Sequence, residues 1–560
     1  MDWVSTRPFN RLRFALDSTL TLANVADKAS EAHHSGAVFY LQEPLPYSGL
    51  PERSVSAKEM LGFINRVGNV LLAAGLKRFD RVALYKTHSP DYFFLGLAIV
   101  KAGGIAVPIN PRMPHRDLRN YLAHTGARFV ITDPESFKGG VQELASSSGV
   151  EKWLFTTSPG TVGVPSVVLS QELPRASDQL QPVELASDSD VMIVHTSGTT
   201  GFPKGVLIGN SGIMSALRAN LAIQPFSRKN KALFIGPYNH YATYLGMMTS
   251  LVGGAPVWVH SQFDAESVLR TIEREKISVF VGFPDSYLKM YQHGLDKYDL
   301  GSMRAWMSAA DASHEVHIRA FTQHGALFRV FGRPVMPAVF VDAWGTSELG
   351  FFGLSRISTS RTKQFSRCIG RPSPFGHKVK IADETGRELK PGQVGRFMVK
   401  GPMLFKGYWN AHDRLHGVVI DGWWWTGDVG YRDGSGRFFQ LDRAVDVMET
   451  RQGPVYTLPI EEQLLKFPEI GEAVVIGVPD ADGSTVPSAV IQLKPGVTAD
   501  ADELLRRANQ QLEAKSALRR IVFVDESQIP RGLTGKVLKR QVRERFAHLL
   551  VAERSQAAVA

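Results

Sequence analysis

Cysteine is what this chain does almost entirely without. Cys368 is the only one among 560 residues, which excludes internal disulfides and any thiolate-based metal cluster. It reads as a buried or incidental thiol. Long hydrophobic runs are missing too. The best candidate, Tyr92 to Ile109, is broken by Lys101 and Gly103-Gly104, so no membrane-spanning segment is expected. The N-terminus, Met1-Asp2-Trp3, has no basic region followed by an apolar core, so secretion is not expected. Acidic residues are outnumbered: 64 Lys and Arg against 54 Asp and Glu give a net charge of +10. A basic surface can attract nucleic acid, but here the charge is spread along the chain and no DNA- or RNA-binding signature accompanies it. A cytoplasmic enzyme with small anionic substrates fits these absences.

What is present is the composition of an ordinary globular protein, 44% hydrophobic and 21% charged, in a chain long enough for two or more domains. Apolar spacing predicts a helix over Ala57 to Gly75, a strand at Arg81 to Tyr85 and a buried helix at Tyr92 to Ala102. Strands follow at Gly104 to Pro108 and Phe129 to Thr132. Strands separated by helices imply a mostly parallel sheet. The alternation resumes with a helix near Ser211 to Ala222, a strand at Ala232 to Ile235, a helix at Ala265 to Glu275 and a strand at Val279 to Val281. From Lys378 the pattern turns to β, with Lys378 to Ile381 and Val394 to Lys400. The turn-rich Gly434-Ser435-Gly436-Arg437 leads to a joint near Arg443. Beyond it come strands at Ala473 to Gly477 and Ala489 to Leu493, a helix at Ala501 to Lys515, a basic C-terminal helix and a frayed tail from Ser555.

The chemistry is concentrated in a few short segments. Thr196-Ser197-Gly198-Thr199-Thr200-Gly201-Phe202-Pro203-Lys204-Gly205 follows the apolar strand Val191 to Val194. Glycine lets backbone N–H groups approach an anion, and the hydroxyls add donors. Lys204 adds a flexible point charge. The loop suits a polyphosphate. No Gly-Lys pair is followed by Ser or Thr, so it is not a P-loop; a plain flexible linker would need neither the preceding strand nor Pro203 beside Lys204.

Three further segments fit the same ligand. In Trp344-Gly345-Thr346-Ser347-Glu348, placed in a loop, the ring can stack on a purine, the glycine permits close approach and the carboxylate can hold Mg²⁺. In Gly422-Trp423-Trp424-Trp425-Thr426-Gly427-Asp428, the carboxylate suits a diol as hydrogen-bond acceptor. In Pro530-Arg531-Gly532-Leu533-Thr534-Gly535-Lys536, a glycine-flanked lysine can bring an ammonium to a reacting centre. Taken singly, each would more often be a core aromatic, an exposed turn acid and a surface lysine.

In this order over nearly the whole chain, the segments resemble the adenylate-forming enzymes: acyl- and aryl-CoA synthetases, peptide-synthetase adenylation domains and luciferases. The pattern is nearest to AMP-forming acyl- or aryl-CoA ligases. The resemblance implies an α/β fold in which a large N-terminal domain (1–442) of mixed, mostly parallel sheets with helices carries a β-rich subdomain. A hinge (443–446) joins it to a small mobile α+β C-terminal domain (447–560). It also implies ATP, Mg²⁺ and coenzyme A as cofactors, and a small-molecule carboxylic acid as partner. Thr196, Ser197, Gly198, Thr199, Thr200, Gly201 and Lys204 would cradle phosphates. Trp344, Gly345 and Thr346 would hold the nucleotide, Glu348 the metal, and Asp428 with Arg443 the ribose. Lys536 would be the catalytic lysine, and His240 would stand at the mouth of the acyl pocket. Tyr238, Tyr241, Phe283, Phe351 and Phe352 are pocket candidates, pointing to an apolar acyl or aryl group.

One region departs from the family pattern. The hinge place holds Val445 instead of Lys or Asp, and the glycines of the following loop become Arg451 and Gln452, with Gly453 next in line. That loop normally lines the pantetheine tunnel, so a carrier protein or an amine is the alternative acceptor. A non-catalytic sensor would not need Lys204, Glu348, Asp428 and Lys536 together, and a luciferase-like oxygenase is a rare use of the fold.

Overall fold

Between residues 37 and 408 the chain builds two eight-stranded sheets, and helices shared by both close the space between them. The computed structural model of the chain describes residues 8–33, 36–196, 203–223, 230–310, 312–350, 352–363, 365–480, 484–532 and 535–550. The first sheet has the order 407–408, 204–209, 190–196, 105–108, 81–84, 127–132, 152–155, 166–168, and the strands from 190–196 onward run parallel. The second runs 354–358, 339–344, 305–310, 279–282, 232–234, 257–259, 37–41, 54–56, parallel except at its two edges. This is the mixed, mostly parallel α/β arrangement expected from strands alternating with helices.

The helices are where the periodicity put them, because their signals are strong. Ala57–Ala73 starts in a capping box formed by Ser56 and Glu59 and ends before Gly75 at φ 98°. Asp91–Lys101 is buried at every residue, as a helix apolar on all sides must be. Gly96 lets it meet Tyr244, whose hydroxyl donates to Tyr92 O at 2.5 Å. Lys101 and Lys86 are the buried cations nearby, each paired: Lys101 with Asp27 at 2.5 Å and Lys86 with Asp91 at 3.1 Å.

A third sheet, antiparallel, contains 368–370, 438–443, 423–432, 395–400 and 378–382. The three tandem tryptophans sit at the start of Trp423–Arg432, so they alternate faces. Trp424 enters the core, while Lys380 and Arg396 each lie 4.4 Å over the rings of Trp423 and Trp425. After residue 446 come a small hairpin, Met448–Thr450 with Gly453–Val455, and a three-stranded sheet of 470–479, 485–493 and 521–523. Its two faces are covered by separate apolar clusters, one built with the helices Thr457–Leu464 and Ala501–Asn509 and one with Lys539–Leu550.

Several elements are not anticipated from the sequence, and two of the differences have a clear physical cause. A strand, Lys204–Gly209, follows the phosphate loop directly and pairs antiparallel with Asp190–Thr196. The helix expected to reach Lys515 ends at Asn509, whose side chain exchanges two hydrogen bonds with the backbone of Leu518 (2.7 and 2.9 Å) and turns the chain. The tail from Ser555 lies outside the described residues.

Candidate functional site

The loop of glycines and hydroxyls begins and ends on one antiparallel ladder. Thr196 and Lys204 are register partners at the end of that ladder. Ser197, Gly198, Thr199, Thr200 and Gly201 lie outside the described residues, so the expected cradle is framed here by its two feet. Burial lowers the Lys204 ammonium from its ordinary value, and Arg414 adds to this while Glu348 opposes it. Its Nζ stands 5.2 Å over the ring of Tyr408, and the Tyr408 hydroxyl donates to Glu348 Oε1 at 3.1 Å. Tyr408 thus ties the phosphate-loop lysine to the acidic residue. Its strand, Gly407–Tyr408, pairs onto Lys204–Gly209.

Glu348 is buried in a short 3₁₀ turn, Ser347–Leu349, at the end of Val339–Trp344. Phe405 N–H donates to its backbone carbonyl at 2.9 Å, which fixes the turn. Thr346 Oγ1 and Ser347 Oγ beside it are buried and have no hydrogen-bond partner among the described residues. Two orphaned hydroxyls next to a carboxylate are groups that a phosphate ester or its hydrated cation would satisfy. Among the described residues, no group of three or more His, Cys, Asp or Glu side chains is gathered to hold a metal. Glu348 offers carboxylate oxygens of the kind a nucleotide-borne Mg²⁺ would take.

Trp344 needs correction. It is the last residue of a strand rather than part of a loop, and its ring is buried at 3% exposure with Phe397 at 5.4 Å. The apolar run from Val339 simply continues through it into the core shared with the antiparallel sheet. The ring packs into that core, and Gly345 and Thr346, half-buried, follow it at the strand end.

Asp428 lies in Trp423–Arg432 on the inward face and is 1% exposed. Thr426 Oγ1 donates to its Oδ2 at 2.8 Å, Gln440 Nε2 to its Oδ1 at 2.9 Å, and Arg443 Nη1 reaches both oxygens at 3.2–3.3 Å. Arg443 is its cross-strand partner. Gly427, at φ 83°, leaves the guanidinium room: a Cβ there would stand 3.1 Å from Arg443 Nη2. The carboxylate is therefore oriented before any ligand arrives.

His240 caps the N-terminus of Tyr241–Gly253, its Nδ1 accepting from Ala242 N–H at 3.2 Å. Burial drops its pKa to about 4, so the imidazole is neutral at pH 7. Phe283 packs edge-on against it at 5.3 Å. Tyr238 is fully buried and donates to His260 O at 2.8 Å, while the buried Tyr241 hydroxyl has no hydrogen-bond partner among the described residues. Phe352 is half-buried and Phe351 lies outside the described residues.

Lys536 comes from the far end of the chain, yet its loop is seated on this same rim. Gly535, at φ 80°, approaches Asp285 so closely that a Cβ would lie 2.6 Å from the Asp285 Cβ. Asp285 sits in the first turn of Pro284–His293, directly after Phe283. Arg531 stands 3.7 Å from Asp285, donates to Gly535 O at 3.1 Å and pairs with Glu472. The Lys536 side chain itself is exposed. Three residues further on, Lys539 is half-buried with its ammonium 2.7 Å from Glu461. Burial pulls that ammonium down, but Glu461, Asp442 and Asp446 overcome it and hold it above its ordinary value.

A second contact joins the same two parts. Glu462 accepts from Glu315 N–H at 2.7 Å, lies 3.1 Å from His314 Nδ1 and 3.5 Å from Arg367. Burial alone would raise this carboxyl, but His314, Arg367 and the Glu315 N–H hold it at about 2, against an ordinary 4.5. A group depressed in the folded state adds stability above its unfolded pKa and loses it as pH falls through the folded one. Glu462→Gln is thus expected to lower the melting temperature by a few degrees at pH 7, with the gap to wild type closing from about pH 4.5 toward pH 2. A pH-independent gap in calorimetry would show that the ion contacts contribute nothing.

Sequence reasoning missed Tyr408, Gln440, Arg414, Arg531 and Asp285 as participants. The Gly407-Tyr408 pair was the one legible signal among them; the others act through distant partners that no local pattern marks.

Comparisons with known proteins agree on one grouping. The family model described as AMP-binding enzyme matches residues 29–409, and that of its C-terminal domain matches residues 459–536. A 3-aminoavenalumate diazotase from Streptomyces is 30% identical over 87% of this chain and 89% of its own. A feruloyl-CoA synthase from Amycolatopsis is 28% identical over 93% and 97%. The crystal structure of ATP-bound MatB from Rhodopseudomonas palustris superposes with a TM-score of 0.79 at 25% identity, covering 94% of this chain and 99% of that one.

Proposed function

The chain belongs to the AMP-binding enzyme family, and from that membership we propose that it is an AMP-forming acid–CoA ligase acting on an aryl or apolar acyl carboxylic acid. The observation that carries this reading is the meeting of two distant segments. The Lys536 loop is docked on Asp285, beside the Phe283–His240 rim. The Lys204–Tyr408–Glu348 chain and the Asp428–Arg443 pair supply complementary groups for phosphates and ribose.

The first step would be attack by the substrate carboxylate on the α-phosphorus of ATP. The bond to the bridging oxygen breaks, and pyrophosphate leaves. Positioning and charge stabilisation are the protein's share of such chemistry. Thr196, Ser197, Gly198, Thr199, Thr200, Gly201 and Lys204 would hold the β- and γ-phosphates. Glu348 would hold Mg²⁺, which would supply charge neutralisation at the leaving side. Gly345 and Thr346 would border the nucleotide, while Asp428 accepts from the ribose hydroxyls with Arg443 beside it. Lys536 would place its ammonium between the carboxylate and the α-phosphate. Neutral His240 and Phe283 would close the mouth of the acid pocket. In the second step the thiol of CoA displaces AMP from the acyl-adenylate. We place the boundary of the two domains at a hinge over 443–446, where Asp446 N–H donates to Arg443 O at 2.9 Å in a turn exposing Val445.

Aromatic acids are the first substrates to try, given the relatives reported above. The test is pyrophosphate release across a panel of aryl and fatty acids, with and without CoA. Release with no acid in the panel, or release that depends on an amino acid, would overturn the reading.

The loop that follows the hinge adds a sharper test of the second step. Arg451 and Gln452 form the exposed turn of the Met448–Thr450/Gly453–Val455 hairpin, with Gly453 at φ 98°. Bulk at that turn is expected to slow thioester formation relative to adenylation. Replacing Arg451 and Gln452 with glycine should raise the CoA-dependent rate several-fold and leave pyrophosphate release without CoA unchanged. Presteady-state traces of wild type in which adenylate never accumulates would show the turn to be neutral.

A further inference from the structure

Residues 326–337 form a hairpin, Ala326–Val330 with Arg333–Pro337, that no third strand among the described residues joins. Phe328 faces Met336 across it, and these two are 56% and 48% exposed; Val330 and Val335 are 40% and 51% exposed. Phe331 at the turn is 100% exposed. It holds φ 47° with Gly332 at φ 78°, a two-residue turn that favours Asn, Asp or Gly. A phenylalanine there is unfavourable to the backbone and, so exposed, to water as well. Ile357, on the neighbouring edge strand, is 68% exposed. Contiguous exposed apolar groups of this kind mark interaction surfaces.

The two segments that carry them hold charge of one sign. Segments 326–337 and 352–363 contain no Asp or Glu, and Arg329, Arg333, Arg361 and Lys363 are exposed. Arg329 and Arg361 also brace the hairpin, donating to Gly301 O at 3.0 Å and Val335 O at 3.4 Å. In the adjoining turn Asp299 pairs with Lys276 at 2.7 Å and is also drawn on by Arg329, and Asp296 is exposed 3.6 Å from His324, so the cations of the hairpin outnumber the acids beside it. An apolar tip ringed by cations is complementary to an anionic bilayer surface. Pairing with a second copy through the open edges would set arginines against arginines.

We infer that this hairpin seats the enzyme on anionic phospholipid membranes, Phe331 entering the headgroup–acyl boundary and the four cations meeting lipid phosphates. No helix among the described residues is long and apolar enough to span a bilayer, so the attachment is peripheral. The hairpin feeds the N-terminal end of Val339–Trp344, whereas Gly345 to Glu348 follow its C-terminal end. Membrane contact therefore leaves the nucleotide side open to solvent.

The full chain is sedimented with vesicles of phosphatidylcholine alone and with 30% phosphatidylglycerol, the latter composition chosen as a probe. Binding is expected on the anionic vesicles, weakened about tenfold or more by Phe331→Ser and by high salt. A second variant, Arg333→Gln with Lys363→Gln, keeps every apolar residue and is expected to lose the anionic preference. Pyrophosphate release by both variants should equal wild type, which reports the fold. No binding to anionic vesicles, or binding by both variants equal to wild type, overturns the inference. So does self-association in sedimentation velocity that Phe331→Ser abolishes, which would make the hairpin an interface between copies.

Discussion

Pyrophosphate release by Lys536→Ala is expected to fall roughly 10²-fold or more, with ATP affinity nearly intact. The ammonium sits on an exposed side chain and contributes little to the core. What the structure invests in is the loop beneath it. Gly535 is pressed onto Asp285, and Arg531 links Asp285, Glu472 and the Gly535 carbonyl. A charge delivered so specifically matters at the moment when negative charge builds on the α-phosphate, more than in the ground state. Release should be measured with the best acid and ATP affinity by calorimetry. Unchanged release would remove Lys536 from the chemistry. A loss of ATP affinity matching the loss of rate would make it a binding residue.

The second large effect is on nucleotide binding. Asp428→Ala is expected to weaken ATP about tenfold or more, since a hydrogen bond to a charged group contributes roughly 1.5–3 kcal/mol. Three donors already orient the carboxylate, from Thr426, Gln440 and Arg443. Truncation also leaves Arg443 and Gln440 without their acceptor, so Asp428→Asn is the informative companion: it keeps the shape and removes the charge. Both variants should lose affinity if the ribose hydroxyls donate to Asp428. Wild-type affinity in the asparagine variant would assign the residue to bracing Arg443 alone.

The parts of this fold that could be read in the sequence are those whose signals are local. The wholly buried Asp91–Lys101 announces itself by apolar residues on every face, and Ala57–Ala73 by its spacing and its capping box. Phosphate-loop, Asp428 and Lys536 motifs were legible for the same reason: each is a short run in which glycine or hydroxyls accompany one charge. Lys204–Gly209 escaped because a strand that doubles back after a glycine-rich loop has no turn signature of its own. Trp344 was misplaced because an aromatic beside glycine reads as a loop, while the neighbouring Phe397 that buries it lies 53 positions away in sequence. Tyr408, Gln440 and Arg531 work through partners 60, 12 and 59 residues distant. Separation of that kind has no period to detect.

The pairing of Thr196 with Lys204 across the ladder also governs how this enzyme can tolerate change in length. Seven residues, 197 to 203, bridge the two strands. Closing a bridge slightly longer or shorter differs little in entropy. Slipping the ladder by one position is another matter, because side chains alternate between faces and a single step turns every one of them over. Lys204 would then point away from Tyr408, and Val206 and Ile208 would leave the core. Insertions taken up wholly within the bridge preserve the lysine's side of the sheet; those absorbed by the strand reverse it. The parity of the strand, more than the make-up of the loop, is what keeps a positive charge on the face of Tyr408 and Glu348.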